Sequence, residues 1–295
     1  MDIFLQLIIT GIMVGSIYAL VALGWTIIYK CSGVLNLAMG ELTLVGAYTC
    51  LAFYNWVGLP FTVALFGSLA VGFLLGLLIE RLVLRPMIGQ PILAVIMITA
   101  GLSFFLRAVV ALIWGTDTVI FTPPVFSAEP IRLGNMVFGQ VYIWSCAAAL
   151  VLLLVFVAFF QWTRWGLSMQ ATADDEMAAL SLGVSAKRVY ALAWAIACMA
   201  SAVGGTLLGN INGLNISIGY LGLLVLPAVV LGGLNSIPGA IVGGLAIGIL
   251  QNLSDAYLSP LTPGGVKEIA PFAFMVIILL FRPYGLWGWV KIERV

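Results

Sequence analysis

The chain has 295 residues, of which 63% are hydrophobic and only 8% charged, with a net charge of +1. At a mean hydropathy of +1.19 a soluble fold is excluded, because so few charges cannot cover that much apolar area. There is no His and no G-x-x-x-x-G-K-[ST] run, which removes His-ligated metal sites, Ser-His-Asp triads and a nucleotide-binding P-loop; without a basic tract, nucleic acid is not an expected partner either.

A hydrocarbon core about 30 Å thick is crossed by ~20 apolar residues. Apolar runs of that kind occupy 4–29, 41–58, 61–84, 92–114, 141–162, 189–211, 218–233, 239–258 and 269–281. The last is short, and 218–233 with 239–258 also reads as one broken pair. The expectation is an all-α polytopic membrane bundle of about nine transmembrane helices, within a range of eight to ten, forming one permease domain over 1–295. The chain is apolar from Ile3, with Asp2 the only charged residue before it and without the basic residues that open a signal peptide, so the first run reads as a retained span.

Strict alternation of these spans sorts the basic residues. Lys30, Arg81, Arg85, Arg164, Lys187, Arg188, Arg282, Lys291 and Arg294 fall on one side, Arg132 and Lys267 on the other, and Arg107 inside a span. The positive-inside rule then puts the first side in the cytoplasm, the N-terminus outside and the C-terminus inside. Trp56, Trp114 and Trp144 lie near external ends, and Trp162, Trp165, Trp287 and Trp289 near internal ones, as an interfacial aromatic belt requires.

Taken in chain order, the first run carries Gly11 and Gly15, the first of five G-x-x-x-G pairs. The others are Gly72/Gly76, Gly205/Gly209, Gly239/Gly243 and Gly244/Gly248. Such pairs let helix backbones approach closely, within the bundle or against a partner permease. After the first run the sequence Leu35-Asn36-Leu-Ala-Met-Gly40-Glu41-Leu42 interrupts the pattern. Glu41 opens the next span, where a carboxylate either complements the helix dipole or lines a polar path. Arg107 lies seven residues, hence ~10 Å, from the external end of its helix. It either snorkels to the headgroups or faces the bundle interior and pairs with a carboxylate. The external loop 115–140 holds Asp117, Glu129 and Arg132, which read as solvated. The four cysteines, Cys31, Cys50, Cys146 and Cys198, are scattered through apolar runs without a C-x-x-C pair and read as buried small hydrophobes.

Residues 163–188 form the longest cytoplasmic segment. Thr172-Ala-Asp-Asp175 resembles a capping box, placing Asp174, Asp175 and Glu176 at a helix N-terminus. Ala173, Met177, Leu180 and Val184 follow at helical spacing, and Gly183 stops the helix. Its polar face carries no Lys or Arg, so the amphipathic helix reads as docking on another protein rather than on lipid. Further on, Leu214-Asn215-Ile-Ser-Ile-Gly219-Tyr220-Leu221 repeats the earlier break, with Asn again four residues before Gly. One break opens an inward-to-outward span and the other an outward-to-inward span. That is the pattern of an inverted repeat whose interrupted helices meet near a transport path. Irregular backbone at that depth is tolerated only against protein or a water-filled cavity.

With these segments in view, the chain resembles the permease subunits of branched-chain amino acid ABC importers, of the LivH type, over nearly its whole length. The resemblance is carried by Gly15-Ser-Ile-Tyr18-Ala19-Leu20, Gly33-Val-Leu-Asn36-Leu-Ala38-Met-Gly40-Glu41 and Ile79-Glu80-Arg81-Leu-Val-Leu-Arg85-Pro86. It continues through Ala173-Asp-Asp-Glu-Met-Ala178-Ala-Leu-Ser-Leu-Gly183-Val, Val230-Leu-Gly232-Gly233-Leu-Asn-Ser-Ile-Pro238-Gly239-Ala240 and Arg282-Pro283-Tyr-Gly285-Leu-Trp-Gly288. It implies a bacterial inner-membrane importer with no cofactor of its own. The implied partners are a second permease subunit in a heterodimer, two ATPase subunits that hydrolyse the ATP, and an extracytoplasmic solute-binding protein. Asp174, Asp175, Glu176, Met177, Ala178, Ala179, Leu180 and Gly183 match the loop by which importer permeases engage their ATPases. Tyr18, Asn36, Gly40, Glu41, Arg107, Asn215 and Gly219 are candidates for the translocation path, and Gly232, Gly233, Pro238 and Gly239 for helix breaks and packing. The implied cargo is a branched-chain or other hydrophobic amino acid, or a related small solute. Leu37-Ala38-Met39 and Leu224-Val225-Leu226 depart from the family's usual polar and basic residues there, so urea, amides and aromatic acids stay open as cargo. The competing class is an ion-coupled secondary transporter or channel. For it the acidic candidates are Glu41, Glu80 and Asp255, all near span ends.

Overall fold

The computed structural model describes residues 2–127, 129–134, 136–261 and 265–288. Lys291, Arg294 and Trp289, used above for orientation, lie outside these. The first half contains α1 (Asp2–Ser32), α2 (Met39–Leu51, prolonged by a π-helical turn at Ala52–Trp56), α3 (Phe61–Ile79, prolonged by a second π-helical turn at Glu80–Leu84) and α4 (Ile92–Trp114). A hairpin of β1 (Pro130–Leu133) and β2 (Met136–Gly139) leads into α5 (Gln140–Trp162), α6 (Arg164–Asp174) and α7 (Glu176–Ser181). The second half is α8 (Ala186–Asn212), a 3-10 turn at Ile216–Tyr220 running into α9 (Leu221–Gly232), α10 (Ile237–Leu258) and α11 (Val266–Phe281).

Among the described residues six helices are long and apolar enough to cross a membrane: Asp2–Ser32, Phe61–Met87, Ile92–Trp114, Gln140–Trp162, Ala186–Asn212 and Ile237–Leu258. The remaining three apolar runs are helical but short. Two of them, α2 and α9, are short because each starts at one of the Asn-containing breaks, part of the way along its neighbours. Outward side chains such as Phe104, Phe105 and Leu112 are exposed, the surface of a helix that meets hydrocarbon.

The Asn-containing breaks fall between α1 and α2 and between α8 and α9, with α5–α7 between the two halves of the chain. Glycines pack the helices of the two halves together. Gly72 and Gly76 seat α3 on α8, where a Cβ on Gly76 would lie 2.6 Å from the Ala195 Cα. Gly244 and Gly248 seat α10 on α1, where a Cβ on Gly244 would lie 2.5 Å from the Ala19 Cα, and Gly248 rests on Gly15. Gly239 and Gly243 bring α10 equally close to Gly232 and Ala228 of α9, and Gly205 meets Thr43 of α2. Every G-x-x-x-G pair therefore serves internal packing, through close van der Waals contact of backbones. α1 and α8 form the buried centre, and Pro238 sits in the first turn of α10, where its missing N–H costs nothing.

Two glycine-rich segments close the end of α9. The Leu286 N–H donates to the Leu231 carbonyl at 2.8 Å and the Trp287 N–H to the Gly232 carbonyl at 3.1 Å. These bonds satisfy carbonyls that the helix end leaves without partners. Gly233 (φ +101°) and Gly285 (φ +75°) make the approach possible, since both adopt left-handed backbone and press on the opposite segment.

At the other end, the loop 115–139 is tied down. Val119 and Leu214 exchange N–H···O bonds of 2.8 and 2.7 Å, the Asn55 amide donates to the Ile120 carbonyl at 3.0 Å, and Gln6 donates to the Val137 carbonyl at 2.8 Å. The β-hairpin in this loop is an addition to the all-α expectation. Its alternation over four residues per strand is too short to stand out of a loop sequence.

Candidate functional site

The two breaks use the same local chemistry. The Asn36 side-chain oxygen accepts the Ala38 N–H at 3.0 Å, and the Asn215 side-chain oxygen accepts the Ser217 N–H at 3.0 Å. Each is an Asx turn, which offers the backbone an alternative to continuing the previous helix and starts the next one. Asn36 is fully buried, and its amide and the Ser201 hydroxyl both reach the Met39 sulfur.

The helices that follow meet at their N-terminal turns. Gly40 touches Gly219 so closely that a Cβ would overlap the Gly219 carbonyl, and it would lie 2.8 Å from the Gly222 nitrogen. Two adjacent N-terminal turns expose unpaired N–H groups and concentrate positive dipole. Negative charge is supplied there by Glu41, only 2% exposed, on the first turn of α2. Its Oε1 accepts from the Arg107 Nη2 at 2.6 Å. The Arg107 guanidinium lies 4.6 Å from the centre of the Tyr220 ring, a cation–π arrangement. Its Nε, also buried, has no hydrogen-bond partner.

Of the two readings left open for Arg107, snorkelling and an inward pair, the structure has the second. Glu41 lies at a helix N-terminus, as the first of its readings has it, and also holds an arginine from α4. A Cβ on Gly219 would stand 3.0 Å from the Arg107 Nη2 and 3.1 Å from the Glu41 Oε1. Gly40, Glu41, Arg107 and Gly219 thus meet at one crossing, and Asn36 and Asn215 shape the turns that lead into it. Tyr18 is not among the residues of the ion pair; with Asn215, Tyr220 and Gln251 it lines a cavity of about 390 Å³. Gln251, whose amide has no partner, escaped the sequence reading because a lone polar residue in an apolar run carries no period.

Glu80 is buried as well and holds Arg85 through two bonds, 2.8 Å to Nη2 and 3.2 Å to Nε. Both lie on the π-helical and 3-10 turns that end α3, and a cavity of about 300 Å³ joins them to Glu176 and Tyr190.

The segment 163–188 corrects the expected helix. Thr172 is not a cap: it lies inside α6, and its hydroxyl donates to the Ser168 carbonyl at 2.9 Å. The N-cap is Asp175, whose Oδ1 accepts the Ala178 N–H at 2.9 Å. Asp174 ends α6, and Glu176 opens a second helix of six residues. The stripe is different too, because Ala173 belongs to the preceding helix. Ala179 is buried against this chain, with Val184 half-buried, while Met177, Ala178, Leu180 and Leu182 are exposed. Asp175 competes for the backbone three residues later than Thr172 would, and a β-region residue there breaks one helix into two. Gly183 does stop the helix. At φ +86° its N–H donates to the Leu180 carbonyl at 3.0 Å and the Val184 N–H to the Ala179 carbonyl at 3.0 Å, a Schellman ending.

Residues 7–280 match the family model described as the permease component of branched-chain amino acid transport systems. The high-affinity branched-chain amino acid permease LivH of Escherichia coli is 33% identical, over 99% of this chain and 98% of its own length. LivM, a permease of the same organism and transport system, is 27% identical over 92% of this chain and 67% of its own length. A solved structure titled PsaBC from Streptococcus pneumoniae in complex with Fab superposes with a TM-score of 0.51 over 95% of this chain and 92% of that one; at 15% identity it speaks for the fold alone. The whole-length match places this chain in the family of branched-chain amino acid transport permeases.

Proposed function

We propose that the chain is the membrane permease of an ATP-driven importer of branched-chain or other hydrophobic amino acids. The observation that carries this beyond membership of the family is the crossing of two broken helices over the Glu41–Arg107 pair. Such a crossing can be remade in two arrangements by rocking one repeat against the other, which alternating access requires. The chain itself contributes the path. ATP binding and hydrolysis take place on two partner ATPases, a second permease completes the transmembrane pair, and a solute-binding protein delivers the cargo from outside. The protein lies in the bacterial inner membrane with its N-terminus outside and its C-terminus in the cytoplasm.

The competing class, an ion-coupled secondary transporter, needs a carboxylate free to bind its ion. Among the described residues the two acidic side chains buried in the helical bundle, Glu41 and Glu80, are each held by an arginine. That favours a path without ion coupling.

Coupling runs through α7. Its cap and its glycine ending fix six residues on the bundle through Ala179, and they leave Met177, Leu180 and Leu182 exposed. These three side chains, framed by Asp174, Asp175 and Glu176, fit a groove on the ATPase. Met177→Glu with Leu182→Glu places two charges in that contact, where an unpaired buried charge costs several kcal/mol. Membrane insertion should be normal, and ATP hydrolysis stimulated by loaded binding protein in the reconstituted complex should fall about tenfold or more. Full stimulation in the double variant would refute the docking role.

A further inference from the structure

Glu41 and Arg107 stand on α2 and α4, so their ion pair joins two helices of the first half of the chain. It holds one end of the guanidinium, the Nη2 at 2.6 Å, and leaves the buried Nε without a partner. The same guanidinium lies over the ring of Tyr220, 4.6 Å from its centre. Tyr220 belongs to the second half, as the last residue of the 3-10 turn Ile216–Tyr220, and this turn packs on both α2 and α4. A planar guanidinium is suited to stacking on an aromatic face, and the attraction grows where water is excluded. The ring is not there to fill the core. Ile218 and Gly219 of the same turn are buried, whereas Tyr220 is 52% exposed and lines the cavity of about 390 Å³.

We propose that Tyr220 is a latch between the two halves of the chain, its ring on Arg107 holding the crossing in the arrangement seen here until the partner ATPases drive it apart; the proposal rests on the transport reading above. When one half rocks against the other, the Glu41–Arg107 pair travels with the first half as one piece. The Gly40–Gly219 contact has no side chain with which to grip. The stacked ring is a side-chain contact that the movement has to break. A contact made in one arrangement and absent from the other shifts the balance between them by its own free energy. Tyr220 is therefore a positioning residue, which acts on the resting arrangement and not on the cargo.

The test uses the complete transporter in proteoliposomes, with its ATPases and binding protein, and radiolabelled leucine as the probe. Tyr220→Leu removes the ring. ATP hydrolysis in the absence of binding protein should rise about fivefold, and leucine transported per ATP should fall by a similar factor, because the crossing now opens without cargo. Tyr220→Phe keeps the ring and should stay within about twofold of wild type on both measures. Tyr220→Trp offers a stronger cation–π face, for which the exposed position has room, and its hydrolysis without binding protein should lie at or below that of Tyr220→Phe. A residue that only packs would not follow this order. Unchanged hydrolysis in a Tyr220→Leu complex that still imports leucine overturns the latch. So does a Tyr220→Phe complex that behaves like Tyr220→Leu, since the hydroxyl and not the ring would then make the contact. If Tyr220→Leu fails to assemble, Trp above Phe overturns it. A wild-type complex whose ATPase ignores loaded binding protein overturns the transport reading, and the latch with it.

Discussion

Glu41→Gln keeps the size of the side chain and removes its charge. The Arg107 guanidinium then remains in the bundle with one neutral acceptor, and its Nε is already without a partner. Breaking a buried ion pair from one side costs about 3–5 kcal/mol; with 25% of the Arg107 side chain exposed, against 3% for Glu41, a loss of about 2–4 kcal/mol is expected. Arg107→Gln should cost a similar amount, because it strands the better-buried carboxylate. The double variant replaces both ions by amides that can bond one another. It should be more stable than the sum of the single losses by ~1–3 kcal/mol. Unfolding of the purified protein in mixed detergent–SDS micelles, followed by far-ultraviolet circular dichroism, measures all four proteins. Losses that add to within about 0.5 kcal/mol would mean that the two groups do not interact, and the crossing would lose its central contact.

Two further outcomes follow from the packing and the orientation. Gly248→Leu forces a side chain into the backbone of α1 at Gly15 and should abolish recovery of monodisperse protein. Gly101→Leu, where a new side chain meets nothing within 4 Å, should leave recovery unchanged; size-exclusion profiles distinguish the two, and equal profiles would refute the packing account. With Cys146 replaced by Ala, Ser181→Cys should react with an impermeant maleimide only from the cytoplasmic side and Ser127→Cys only from outside. Reversed labelling would invert the topology and remove the ATPase contact.

Helices were legible wherever apolar length alone decides them. The run 92–114 coincides with α4 end to end, because Pro91 and Gly115 bound it. The Asn-x-x-x-Gly breaks were legible as well, since Asn directly before a helix start has a local chemistry that sequence displays. What could not be read was which groups meet across the bundle. Glu41 and Arg107 are 66 residues apart, and nothing in the period of either helix says that they point at one another. Gly15 and Gly248 were each visible as small residues, but not as each other's partner. At 172–176 several residues could cap a helix, and the choice of Asp175 over Thr172 depends on where α6 is held by α5. That hold is a tertiary contact: the Gln170 amide donates to the Phe160 carbonyl at 2.7 Å.

The meeting of two helix N-termini also bears on what cannot pass. Each terminus carries about +0.5 charge, and Glu41 and Arg107 cancel one another, so the crossing keeps a net charge of about +1. A monovalent cation brought within 4 Å meets ~4 kcal/mol of repulsion at an effective dielectric constant near 20, close to a thousandfold reduction in occupancy. Positive half-helix ends exclude protons and cations from other solute pores by the same means. A bacterial inner membrane stores energy as gradients of protons and sodium, and every open solute path threatens to discharge them. The bond that holds this crossing together therefore also keeps it electropositive, a place that a cation avoids.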